Sequence, residues 1–413
     1  MKEPIYRLYS SLSESEPDKI RAEVSLGALR RNYRALLSEI RRETPKVRPI
    51  AVVKAEAYGH GTPACVDALL EEGCDFFAVS CINEALAVRQ TCDNAGKHAD
   101  ILILGYTDPK EVLLLAEAHL LQALLSETYA HRLNAAAAAA GVVVHTHIAL
   151  DTGMNRIGYP AHSEAEALSA ADAIVRTAAL PRLRPDGMFT HFSRADEAPG
   201  GEGDALTRRQ IARYLRVRAL LEERGIRIPF HHVCNSAAAL RYPFARFDGV
   251  RLGILLYGIA PSPFVSFPLE PVMQLRTVIS HIHPLLPNEC VGYGGTFSAG
   301  EERRIATLPI GYADGLLRAY SGASVTLLTG SGAHRVPIVG KICMDQCMID
   351  VTGSNAAEGD TVVFFGDTPD ALPALSAHAE TIPYESLCLI SSRVPRVYRE
   401  EFPPSPSKTG SRK

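Results

Sequence analysis

The chain has 413 residues, 46% of them hydrophobic and 22% charged, with a formal net charge of −3. That length supports one large core and a second, smaller one, and the near-neutral charge gives no electrostatic basis for binding nucleic acid or an anionic membrane. No apolar run is long enough to span a membrane, and the N-terminal MKEPIYRLYSSLSESEPDK lacks the apolar core of a signal peptide, so a cytoplasmic protein is expected.

After an N-terminal extension (1–17), the chain alternates strand-like and helix-like stretches. Eight runs read as strands: 49–54, 76–80, 100–106, 122–126, 142–151, 186–192, 228–233 and 249–258. Helical stretches lie between most of them, including a hexa-alanine run stopped by Gly141 and the long ALTRRQIARYLRVRALLEERG. Eight such units over 18–264 fit a (β/α)8 TIM-type barrel of the α/β class, with chemistry expected at the C-terminal strand ends. From 265 to 402 short strands separated by turns replace the helical period, predicting a mostly β domain. The tail 403–413, rich in Pro, Ser and charge, is expected to be disordered. Nine cysteines without a regular framework read as reduced thiols. Cys343 and Cys347, flanked by apolar residues, read as core, and no metal site is expected.

Lys54 closes the apolar run Pro49-Ile50-Ala51-Val52-Val53. A lysine delivered to a buried strand end loses hydration, which favours a neutral, nucleophilic amine; a solvated strand-end lysine is the plainer reading. Asn235 and Ser236 follow the seventh strand as candidate caps, where free N–H groups could seat a phosphate or simply begin a helix. Taken singly, His191 at the sixth strand end, Arg251 in the eighth strand and Tyr293 in the β domain also fit ordinary core positions.

The string AVVKAEAYGHG (51–61) resembles the lysine motif of the alanine racemase family, which binds pyridoxal 5'-phosphate (PLP); further motifs recur in the family's order from about residue 20 to 400. The resemblance implies a PLP enzyme in which Lys54 carries the cofactor and acts as one base. It likewise implies that Tyr293, in VGYGGTF, is the second base, supplied by the partner chain of a homodimer with shared sites. It further implies phosphate contacts at Tyr58, Asn235, Ser236 and Tyr384. By the same resemblance Arg251 is expected to face the pyridine nitrogen, Gly253 and Ile254 beyond it to bind the cofactor, and His191 to lie near the ring. Arg156 is expected to contact the cofactor's phenolic oxygen and the substrate, with Tyr312, Met344 and Asp345 expected on the substrate side. An arginine at the ring nitrogen keeps its own proton, so the ring is a weak electron sink and reprotonation at Cα is favoured.

Three positions depart from the pattern: Glu56 stands for the usual Asn, Ala149 for a lysine carried as a carbamate, and Lys341 for an arginine at the substrate entrance. A bound anion or an acidic side chain is therefore expected to face Arg156 in place of the carbamate. The implied activity is interconversion of L- and D-alanine, with a serine or broader-specificity racemase as the alternative, or a non-catalytic PLP carrier built from a single barrel.

Overall fold

The computed structural model describes residues 19–265 and 267–402, so the expected extension 1–17 and tail 403–413 lie outside the described residues. The chain divides into two units: Leu29–Glu270, and a second that joins the residues up to Ala28 with those from Pro271 onward.

In the first unit each of the eight runs forms a strand: Arg48–Val52, Phe76–Val79, Asp100–Ile103, Leu121–Leu124, Val144–Asp151, Leu183–Phe189, Phe230–His232 and Gly249–Leu252. They pair in parallel in chain order, and the last returns to the first, Gly249 opposite Arg48. The remaining seam, between Phe230–His232 and Gly249–Leu252, closes on a single bridge from Cys234 to Val250. Most strand residues are buried, as a parallel sheet enclosed by helices requires. Helices Thr62–Glu71, Ile82–Asn94, Glu127–Ala140, Glu164–Ala178 and Glu202–Glu223 lie between the strands in chain order. Inside the barrel a Cβ on Gly187 would lie 2.5 Å from the His147 ring, so the histidine fits only because residue 187 has no side chain. The eighth run is shorter than expected. Its strand ends at Leu252, and Ile254–Tyr257 form a 3-10 turn after Gly253.

The start of the barrel needs correction. Ile20–Ser25, placed in the barrel by its sequence position, pairs antiparallel with Met273–Val278 and parallel with Arg396–Arg399 in the second unit. Glu23 supplies a physical reason. It is fully buried, with Arg21 Nε at 2.8 Å, Arg276 at 3.4 Å and Arg399 at 3.9 Å, and a buried carboxylate needs such partners. The barrel unit therefore begins at Leu29, inside helix Leu26–Glu43, and runs to Glu270.

The second unit is mostly β, as expected. Its sheet runs in the order His281–Leu285, Arg303–Leu308, Cys347–Asp350, Gly332–Val339, Ser324–Thr329, Thr361–Phe365, Met273–Val278, Ile20–Ser25, Arg396–Arg399. All nine cysteines are free. Among the described residues no helix is long and apolar enough to cross a membrane.

Candidate active site

Lys54 leaves the first barrel strand directly. Ala55, Glu56, Ala57 and Tyr58 then adopt φ values of 51°, 54°, 52° and 55°, a left-handed turn built from L residues. Such a conformation costs about 1–2 kcal/mol per residue, so surrounding bonds must impose it. Ala57 N donates to Val53 O at 2.9 Å and Gly59 N to Ala55 O at 2.8 Å. The Glu84 carboxylate accepts from Ala55 N at 2.8 Å and from Ser80 N and Oγ at 2.8 and 2.9 Å. The turn leaves Lys54 half-buried and Glu56 exposed, and buries Tyr58. Glu56 accepts from Thr62 N at 3.3 Å, at the start of the next helix.

Tyr58 packs on Tyr257 with ring centroids 4.8 Å apart. A Cβ on Gly253 would lie 2.6 Å from Tyr58 Oη and 3.7 Å from Ser236 Oγ, so a side chain at 253 would fill this cradle. Gly253 N donates to Ser236 Oγ at 2.8 Å. Of the two candidate caps, Asn235 is the one used, its Oδ1 accepting from Ala238 N at 3.0 Å. Ile254, buried, opens the turn that follows Gly253.

Arg251 is buried without a carboxylate. One terminal nitrogen donates to His232 O at 2.6 Å and His232 Nδ1 at 2.8 Å; the other donates to Thr190 O at 2.7 Å and Val233 O at 3.1 Å, and lies 3.4 Å from His191 Nδ1. Its Nε has no hydrogen-bond partner among the described residues. Burial brings its pKa down to about 10, so it remains charged at neutral pH. Because His232 accepts at Nδ1, its Nε2 carries the proton and donates to His147 Nδ1 at 2.9 Å. His191 is neutral at neutral pH, its pKa brought down to about 3 by burial and then by the charges of Arg251, Arg156 and Lys54. Those three cations thus lie near enough to His191 for their charges to act on it.

Arg156 is exposed and makes no hydrogen bond or ion pair among the described residues. The acidic partner expected for it is absent among them. Ala149 packs instead with Ala123 and Phe189, against Leu104 and Leu125. Apolar side chains occupy that place, and they offer an anion no donor.

The β unit holds the remaining candidates. Tyr312 N donates to Cys343 O at 3.0 Å and Ala313 N to Met344 O at 2.9 Å, so the two expected substrate-side segments are joined. Asp345 accepts from Arg393 at 2.9 Å. Tyr293 is 69% exposed on a turn whose Gly292, Gly294 and Gly295 have φ of 67°, 75° and 54°. Lys341 lies along that turn, its Nζ 3.5 Å from where a Gly294 Cβ would stand. Tyr384 is half-buried on the short helix Pro383–Cys388.

Sequence reasoning missed Glu84 and His232. The HHV ending the seventh strand hinted at His232; Glu84 sits on helix Ile82–Asn94 with no local signal.

Two family models match the chain, "Alanine racemase, N-terminal domain" over residues 24–261 and "Alanine racemase, C-terminal domain" over 272–398. A relative from Desulfovibrio desulfuricans named alanine racemase is 39% identical over 384 residues, covering 92% of this chain and 98% of the relative. The solved alanine racemase of Clostridium difficile matches with a TM-score of 0.82 and 33% identity, covering 92% of this chain and 96% of that one. A histidine racemase from Leuconostoc mesenteroides matches at 0.78 and 28%, over 93% and 99%.

Proposed function

This chain belongs to the alanine racemase family, and from that premise we propose that it interconverts L- and D-alanine with PLP held at the C-terminal end of the barrel. The carrying observation is the cradle of Tyr58, Ser236 and Gly253, which a Cβ at 253 would fill, in the same unit as Lys54 and the buried cation Arg251. A hydroxyl-lined hollow of this kind fits a phosphate, with Asn235 shaping it, Ile254 adjoining it and Tyr384 expected to contribute.

When bound, the cofactor supplies an aldehyde for the substrate amine and a ring that withdraws electrons from Cα. Lys54 holds it covalently and moves a proton on one face of Cα. Tyr293 of the partner subunit moves a proton on the other face, since inversion needs acid and base on opposite sides. Arg251 would face the ring nitrogen with its spare Nε–H and, keeping its own proton, would leave that nitrogen unprotonated. His191 packs beside Arg251 as a neutral ring. Arg156 serves the phenolic oxygen and the substrate carboxylate, with the Met344 backbone N–H, Asp345 and Tyr312 on the substrate side. The working form is a cytoplasmic homodimer with sites shared between chains.

A second reading, a racemase for another or a broader set of amino acids, is favoured by the fold shared with the histidine racemase and by Lys341 beside the Tyr293 turn. The test is turnover of L-alanine, L-serine, L-lysine and L-histidine by purified protein supplied with PLP. L-alanine is expected to give the highest kcat/KM, and borohydride to fix the cofactor on Lys54. Racemisation of none of the four overturns the proposal, and a clear preference for another substrate replaces it with the second reading.

A further inference from the structure

Gln210, on helix Glu202–Glu223, is fully buried, and both ends of its amide are engaged. Its Oε1 accepts from Ser193 N at 3.2 Å and Ser193 Oγ at 3.3 Å. Its Nε2 donates to His191 O at 3.1 Å and to Thr152 Oγ1 at 3.4 Å. The Thr152 hydroxyl lies 2.8 Å from that of Thr190, which itself donates to Leu150 O at 2.7 Å. Thr190 has thereby committed its proton, so Thr152 donates to Thr190 and is free to accept from Gln210. The donors all run in one direction, and each bond polarises the next. Three residues on, on the same helix face, Arg213 donates to Thr152 O at 2.7 Å.

These bonds tie together two segments that leave adjacent barrel strands. One is the turn before Arg156, in which Asp151 Oδ1 accepts from Gly153, Met154 and Asn155 N at 3.0, 3.1 and 3.1 Å. The other, 190–193, carries His191. Arg156 has no hydrogen bond or ion pair of its own among the described residues, so its turn must set its placement.

We propose that Gln210 is a positioning residue of the racemisation site, its amide fixing the Arg156 turn relative to His191. This rests on the roles given above to Arg156 and His191. In Gln210→Leu the Ser193 N–H and the His191 carbonyl lose their partner. Gln210→Glu keeps the acceptor for Ser193 but turns an oxygen toward the His191 carbonyl.

The first readout needs neither cofactor nor substrate. Amide hydrogen exchange of the cofactor-free protein, followed by mass spectrometry, should be about tenfold faster in Gln210→Leu within both 151–157 and 190–194, and unchanged in strands Phe76–Val79 and Leu121–Leu124. The second is a double-mutant cycle. Gln210→Leu should lower kcat/KM about 10- to 100-fold in the native background and less than about threefold in Arg156→Ala. Unchanged exchange in both segments overturns the proposal, as does equal acceleration throughout the barrel, or a kinetic loss equally large in Arg156→Ala. If the leucine variant does not fold, Gln210→Glu carries the same measurements. The expected exchange pattern in a protein that racemises nothing would support the coupling while overturning the proposed function.

Discussion

Arg251 is defined by what surrounds its guanidinium. The carbonyls of Thr190, His232 and Val233 and the His232 ring take up its terminal nitrogens, so the direction of the remaining Nε–H is fixed by the backbone. Replacing it with glutamate would orphan three carbonyls, at about 1–3 kcal/mol each, and would present an ionisable acid to the ring nitrogen. Arg251→Glu is therefore expected to lower the melting temperature and also to raise transamination relative to racemisation. The ratio of the two reactions, measured on one preparation, is insensitive to the fraction of protein that has unfolded. An unchanged ratio would remove Arg251 from the role proposed for it.

At the scale of the element, the left-handed turn Ala55–Tyr58 stands out, because it sets the path of the chain immediately after Lys54. In an ordinary helix, replacing alanine by glycine costs about 0.5–1 kcal/mol. At φ of 51° the preference reverses, since glycine enters this region without the Cβ penalty. Ala55, whose side chain is exposed, isolates the backbone effect. Ala55→Gly is expected to melt no lower than the native protein, whereas a drop of several degrees would mean that the turn is not left-handed in solution. Removing the carboxylate by Glu84→Gln should act oppositely, weakening the bonds that hold Ala55 and Ser80.

At the scale of the molecule, buried histidines link stability to pH. In the unfolded chain they titrate near pH 6.5. In the native state burial brings His147 and His191 down to about 3, and His232 lies well below its ordinary value. Between those limits the unfolded state binds more protons, so stability falls as pH falls, by about 1.4 kcal/mol per pH unit for each histidine. The urea midpoint, followed by circular dichroism, should be nearly flat from pH 8 to 7 with respect to these groups and should drop from pH 6 to 5. His147→Gln should remove about one proton from that slope, and an unaltered slope would show that His147 takes no part. Subunit sharing is tested by mixing Lys54→Ala with Tyr293→Phe. Each should be nearly inactive alone, yet random exchange between symmetric dimers should restore about a quarter of the sites. No recovery despite demonstrated exchange would assign Tyr293 to its own chain's site.

The eight barrel strands and the change of character near residue 265 were legible in the sequence, because burial on both faces writes continuous apolar runs and short strands write frequent turns. Lys54, Asn235 and Ser236 were marked as candidates by standing at or just after the end of a strand-like run, while the roles proposed for them rest on the family resemblance. Pairing partners were not legible. Arg21, two residues away, is one counter-ion of Glu23, but the arginines at 276 and 399, far along the chain, complete the set and take Ile20–Ser25 out of the barrel. The apolar surroundings of Ala149 are hidden from local sequence because Leu104, Leu125 and Phe189 come from three other parts of the chain. The hand of the turn after Lys54 was equally hidden, since nothing in Ala-Glu-Ala-Tyr asks for positive φ. Local periodicity reports which residues are buried. Which charge meets which, and where a backbone is held against its own preference, depends on contacts between residues remote in sequence, and only the tertiary structure decided those.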